Sequence, residues 1–169
     1  RAFDDADDLA LQIGSLPVEQ RLVVWSETGK MLPQDVGVGV SQLLPVVVAL
    51  LSSVDRPIVL EQPELHVHPR LQAEIADVLI EASRSPNDKQ LFVETHSEHL
   101  ILRLLRRIRE TTDNELPSWH PGLTCDQLSV VYLTGGESPT HAVALRVTPD
   151  GDFIDRWPNG FFEERAEEL

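Results

Sequence analysis

Short apolar runs that stop abruptly in polar residues alternate along the chain with longer segments whose apolar positions recur every three or four residues. The clearest short run is Pro57-Ile-Val-Leu-Glu61, which stops in Gln62-Pro63-Glu64 and the pair His66 and His68. A second, Gln90-Leu-Phe-Val-Glu94, stops in Thr95-His96-Ser97. An apolar run of four with polar groups at its carboxyl end is the pattern of a buried parallel strand that carries side chains to the edge of an α/β sheet. Between the runs, Pro69–Ser83 places Leu71, Ile75, Val78, Leu79 and Ala82 on one helical face, with Pro69 at the first helical position. Strand, helix and strand in this order form a βαβ unit, which predicts parallel strands with a right-handed crossover.

The remaining pattern fills in around this unit. Residues 21–25 read as a strand, and 26–39 as a loop with three glycines. Residues 41–52 read as a helix with Pro45 in its first turn. A second amphipathic helix over 97–110 buries Leu100, Ile101, Leu104, Leu105 and Ile108. After an irregular linker over 111–127 come three strand candidates, 129–133, 141–147 and 152–157. Gly135-Gly136 and Pro149-Asp150-Gly151 mark the turns between them. The expected fold is α/β, with a small antiparallel tail. Its parts are an acidic N-terminal segment (1–20), a main lobe (21–128) and the tail (129–169).

Composition narrows the function. At 169 residues and 41% hydrophobic content the chain can build a core. It has no run of the roughly 18 apolar residues that a membrane span needs, so no membrane partner is expected. The single Cys125 gives no internal disulfide and fits a cytoplasmic location. Net charge is −14, from 14 basic and 28 acidic residues. A field of that sign repels phosphate backbones, so DNA is not favoured as a direct partner of this chain. The acidic runs at both ends read as solvated termini.

Three segments could carry chemistry. Glu61, at a strand tip, could hold Mg²⁺ beside phosphates, and Gln62 after it could orient a water without accepting a proton. The alternative is a strand end with ordinary surface acids. His96 follows the next strand where a γ-phosphate could be reached, with hydroxyls from Thr95 and Ser97 beside it. Ser97 also suits a plain helix N-cap. Gly37 and Gly39 precede a helix, permit an anion-cradling backbone, and have donors Ser41 and Gln42 after them. An ordinary loop would carry the same residues.

Glycine loop and helix, strand and carboxylate, strand and His, in that order, resemble the carboxyl-terminal half of an ABC-type ATPase head. That group includes structural-maintenance-of-chromosomes, RecF-like and overcoming-lysogenization-defect (OLD-like) AAA ATPases. Glu61-Gln-Pro-Glu64, Leu65-His-Val-His-Pro69 and Trp157-Pro-Asn-Gly-Phe-Phe162 are similar to a bacterial AAA-family group whose C-terminal tail is a domain of unknown function. The resemblance spans roughly residues 21–164. It implies a P-loop NTPase lobe with ATP and Mg²⁺ as ligands, and a homodimer that sandwiches ATP between heads. In that scheme residues 37–42 resemble the signature loop, Ile58-Val-Leu-Glu61 Walker B, 64–68 the D-loop, and Thr95-His96-Ser97 the switch-histidine motif. DNA maintenance or genome defence is what the family suggests for the parent protein.

Two departures matter. The only lysines are Lys30 and Lys89, and neither lies in a Gly-x-x-x-x-Gly-Lys-Ser/Thr phosphate loop. The Walker A half is therefore expected upstream in a longer protein, and this chain alone is expected to be inactive. Gln62 also stands where such heads resemble Asp-Glu, so either hydrolysis by the whole enzyme is slow or Glu64 substitutes as the base. A non-catalytic regulatory or interaction module is the alternative, and a zinc or Mg²⁺ hydrolase a third. His66 and His68 could share one side of a strand as zinc ligands, but no third ligand is evident. Arg103, Arg106, Arg107 and Arg109 are expected on a solvated face or as intramolecular anchors for acids. Trp119, Trp157, Phe161 and Phe162 are expected as packing anchors.

Overall fold

The computed structural model describes residues 24–26, 29–32, 37–52, 56–84, 89–134 and 139–157. The chain divides into two compact units, Arg1–Gly37 and Val38–Leu169. In the first, β1 (Val24–Ser26) pairs antiparallel with β2 (Gly29–Met31), Ser26 opposite Gly29. The expected loop therefore contains a strand. Ladders are made by backbone groups, so a Gly-Lys-Met segment can pair although its side chains show no strand pattern. Residues 21–23 of the expected first strand lie outside the described residues.

The second unit is α/β. Helix α1 (Val38–Leu51) is followed by β3 (Ile58–Glu61), α2 (Pro69–Ser83), β4 (Leu91–Glu94) and α3 (Glu98–Thr112). β3 and β4 are parallel, with Ile58 opposite Leu91 and Glu61 opposite Glu94. Ile58, Leu60, Leu91 and Val93 face a core built with Leu50, Val67, Ile75, Ala76, Leu79, Ala82 and Leu100. The opposite face is open: Val59 is 70% exposed and Phe92 52%. The expectation of a buried strand thus holds for one face only, because the helices that contribute to the core lie against that face.

α1 begins three residues earlier than its pattern predicts. Val38, Gly39 and Val40 wind into its first turn, and Ser41 Oγ donates to the Val38 carbonyl at 2.9 Å. Pro45 consequently lies inside the helix, where it cannot donate the bond to the Ser41 carbonyl. The far end of α1 has no basic residue of its own. Lys89, 6% exposed, reaches across from the segment before β4, and its Nζ donates to the carbonyls of Leu50 and Ser52. A cation on the last carbonyls satisfies them and complements the helix dipole.

α2 and α3 are held together by apolar and ionic contacts. Ile80 and Ile108 pack with Leu123, and Leu104, Cys125 and Val147 line the same cluster. Arg107, 1% exposed, donates to both oxygens of Asp77 on α2 and to Glu110 on its own helix. Arg103 also meets Asp77, at 2.6 Å, and Arg106 meets Glu110, at 2.6 Å. Burial pushes the Asp77 carboxyl up, but the hydrogen bond and charge of Arg107 and the charge of Arg103 outweigh it and hold the group below its usual range. Glu110 is lowered likewise: hydrogen bonds from Arg106 and Arg107 outweigh its burial. The arginines are intramolecular anchors, as one of the two sequence readings had it, with Arg107 unexpectedly in the interior.

In the tail, β5 (Val130–Thr134) pairs antiparallel with β6 (His141–Leu145). The third expected strand is reduced to a single bridge, Val147 to Phe153. Arg146 holds this hairpin: its carbonyl accepts Ile154 N–H, and its guanidinium and backbone N–H donate to Asp155, whose carboxyl pKa falls to about 2. The loop before Phe153 is fastened to α3 by Arg109, which donates to the Asp150 carbonyl and pairs with Asp152. Trp157 stacks edge-on against Phe153 at 4.8 Å, as a packing anchor should. Trp119 corrects the same expectation. It is 79% exposed and touches the ring of His120 edge-on, in a turn that presents it to solvent. Phe161 and Phe162 lie outside the described residues.

Candidate functional site

The two parallel strands end side by side, and their ladder runs one bond further. Gln62 N–H donates to the Glu94 carbonyl at 2.8 Å. There the chain reverses through a tight turn. Gln62 (φ 45°) and His66 (φ 59°) both take the left-handed conformation, which costs a non-glycine residue about 1–3 kcal/mol. Leu65 N–H donates to the Gln62 carbonyl and Val67 N–H to the Glu64 carbonyl, so the turn is internally fixed. Pro63 and Glu64 are buried in it.

Glu64 is 7% exposed. Its Oε1 accepts the His96 backbone N–H at 2.7 Å. Its Oε2 is the one buried side-chain polar atom without a hydrogen-bond partner among the described residues. A buried carboxylate oxygen left open is unfavourable unless something else fills its acceptor sites. The loop after β4 is fixed from three sides. Thr95 Oγ1 accepts Ser97 N–H at 3.0 Å, and Ser97 Oγ accepts Leu100 N–H at 3.0 Å as the N-cap of α3. Ser97 Oγ in turn donates to Gln72 Oε1 on α2 at 2.7 Å.

These groups wall an open cleft of about 280 Å³, lined by Gln62, Glu64, Leu65, His66, Gln72, His96 and Ser97. A smaller groove of about 120 Å³ between α1 and α2 is apolar apart from Glu74, and offers no comparable chemistry.

The structure thus brings Gln62, Glu64 and His96 together. Glu61 does not line the cleft. It stands exposed at the tip of β3, on the same sheet face as Val59 and beside Glu94. Thr95 is half-buried and its hydroxyl serves the turn into α3. Gly37 is exposed, with φ +105°, and Gly39 lies in α1 rather than in a loop. Gly39 is instead a packing glycine, because a Cβ there would stand 2.8 Å from the His66 carbonyl oxygen. Ser41 and Gln42 do not line the cleft either. Ser97 is a true N-cap, so that reading of it stands.

The less favoured zinc alternative for His66 and His68 finds no support in the geometry. His66 sits in the turn, and His68 caps α2, its Nδ1 accepting Arg70 N–H at 3.2 Å. Among the described residues no group of three or more His, Cys, Asp or Glu could hold a metal. The residue that the sequence reading missed is Gln72. Its only signal was a polar side chain in the first turn of the helix after the motif.

Gln62, Glu64 and His96 put an amide, a carboxylate and an imidazole together at the carboxyl ends of the two parallel strands. A phosphate-cradling glycine-lysine loop is absent from the sequence. No helix among the described residues is long and apolar enough to cross a membrane.

Neither a curated protein nor a solved structure matches the chain. A family model described as "AAA domain, putative AbiEii toxin, Type IV TA system" matches residues 2–103, more than half of the chain, from the N-terminal unit into α3. Membership implies a P-loop ATPase-type domain and ATP as ligand, which agrees with the α/β fold and with carboxylate and histidine at the ends of parallel strands. The chain belongs to this AAA-domain family.

Proposed function

We propose that the cleft and the two strand tips form the carboxyl-terminal half of an ATP site in an ABC-type AAA ATPase head. The phosphate-binding half would come from an upstream part of the same protein. The observation that carries this reading is the Glu64 carboxylate at the cleft that Gln62 and His96 also line, with one oxygen tied to His96 N–H and the other buried without a hydrogen-bond partner.

The roles follow from position. Glu61 is the carboxylate placed to hold Mg²⁺. Gln62 is fixed by its turn and can orient an attacking water but cannot take its proton. Glu64 Oε2 takes that proton, since a base works best when a second group fixes its direction, and here Oε1 is fixed by an amide. His96 stabilises charge on the terminal phosphate, with Thr95 shaping its loop. Gly37, Ser41 and Gln42, at the start of α1, would face the nucleotide of a second head in a head-to-tail dimer. Separation of the heads after hydrolysis would do mechanical work. The family description and the motif resemblance favour genome defence or DNA maintenance as the setting, by analogy.

Turnover of ATP by the complete protein tests this. Glu64→Gln should lower kcat by about 10²–10⁴-fold, the usual contribution of a general base. An unchanged kcat removes Glu64 from that role. ATP binding without turnover in the wild type would favour a regulatory module, a reading that Gln62 in place of a carboxylate supports.

A further inference from the structure

Gln72 joins the two walls of the cleft. It lies in the first turn of α2, half-buried, and its side-chain amide is used at both ends. Nε2 donates to the Val67 carbonyl at 2.9 Å, at the exit of the turn that carries Gln62 and Glu64. A longer contact, 3.5 Å, reaches the Glu64 carbonyl. Oε1 accepts from Ser97 Oγ at 2.7 Å, and that hydroxyl caps α3 by accepting Leu100 N–H. One rigid amide thus spans from the turn after β3 to the loop after β4. The Glu64–His96 bond makes the same connection a few residues away.

The arrangement specifies the amide. Ser97 Oγ has its acceptor role filled by Leu100 N–H, so its proton needs an acceptor, and Gln72 Oε1 supplies it. The Val67 carbonyl needs a donor, and Nε2 supplies that. A carboxylate could do only the first and an aliphatic side chain neither. Both bonds are partly shielded from solvent, where unmatched polar groups are costly. Loop 95–97 and turn 62–67 otherwise come from different strands, and each holds part of the candidate chemistry. A displacement of about 1 Å between such parts can cost two orders of magnitude in rate.

We propose that Gln72 is a positioning residue of this site, its amide holding the His96 segment at a fixed distance from Gln62 and Glu64. The proposal rests on the reading of the cleft as part of an ATP site. Both ends of the Gln72 amide are taken by protein groups, so its proposed action is through those neighbours. Groups of this kind, one step removed from the chemistry, commonly carry about 10–100-fold in activity.

The test uses the complete ATPase with Gln72→Leu and Gln72→Glu, and reads kinetics and amide hydrogen exchange on the same samples. Expected is a fall in kcat of about 10–100-fold for Gln72→Leu, a smaller fall for Gln72→Glu, and an unchanged KM for ATP in both. The His96 and Leu100 amides should exchange faster while Ile75, Ala76 and Leu79 in α2 keep their protection. Wild-type kcat together with wild-type protection at His96 overturns the proposal. So does loss of α2 protection in both variants, which would make Gln72 a purely structural residue. A wild-type protein that neither binds nor turns over ATP refutes the ATP reading instead. The exchange at His96 then still decides whether Gln72 fixes the loop.

Discussion

Asp77, between α2 and α3, and Glu64, in the turn after β3, are both largely buried acidic side chains, and they are treated in opposite ways. Both oxygens of Asp77 are met by guanidinium groups, from Arg103 and Arg107. Glu64 has one oxygen on a backbone amide and the other buried without a hydrogen-bond partner. A carboxylate whose acceptors are all filled contributes to cohesion between α2 and α3 and has nothing left to offer a ligand. A buried carboxylate oxygen left without a partner is a poor structural element. Partner count, more than burial or charge, separates these two acids.

That contrast can be broken most directly at Arg107. Replacing it with Met leaves Asp77 and Glu110 each short of a partner in a confined space, and should destabilise the protein by about 3 kcal/mol. Urea unfolding with fixed slope is the measurement. Glu64→Gln keeps its contact with His96 N–H and should change stability by less than about 1 kcal/mol, whatever it does to turnover. If the two substitutions prove equally destabilising, the distinction between filled and open carboxylates is lost.

Gly39 sharpens the comparison from the side of the cleft. Gly39→Ala drives a methyl group against the His66 carbonyl, and the turn must move. Overpacking of this kind costs about 1–3 kcal/mol, offset by about 1 kcal/mol from the better helix propensity of alanine. The net loss of stability should be small. ATP turnover should fall more than stability does, because the displaced turn carries Gln62 and Glu64. Thermal melts and kcat on the same variant separate the two effects.

The smallest effect expected is in acid. Asp77 and Glu110 have folded-state pKa values below their ordinary ones. Their stabilisation is complete above the unfolded-state carboxylate range of about 4 and is lost as pH falls through the lower, folded-state values. Stability measured between pH 6 and about 3 should therefore decline, and Asp77→Asn should flatten part of that slope. A slope unaffected by Asp77→Asn would show that the arginine network does not hold its acids as the distances suggest.

Much of this could be read from residue order. The bounds of α2 agree with its pattern, and β3, β4 and α3 fall within two residues of theirs, because four-residue apolar runs and a 3.6-residue stripe are local signals. Gln62, Glu64 and His96 were named from sequence because each stands where an apolar run stops. The less accurate readings share a cause. The extra turn at the start of α1, the pairing of β2 and the reduction of the third tail strand to one bridge depend on partners elsewhere in the chain. Glycine and short polar segments admit several conformations, and the neighbour selects one.

The α/β order, the parallel pair and the set of polar residues at its carboxyl edge follow from residue order, because side-chain periodicity and strand ends are properties of consecutive residues. Packing sets which of those residues share a cleft, that Glu61 stands outside it, and that Glu64 Oε2 is left without a partner. It alone made Gln72 a bridge, Gly39 a contact with His66, Lys89 a cap on α1 and Arg107 an interior ion. Each of these depends on a hydrogen bond or close contact between residues 5 to 39 positions apart in the chain, and such distances are fixed by packing alone.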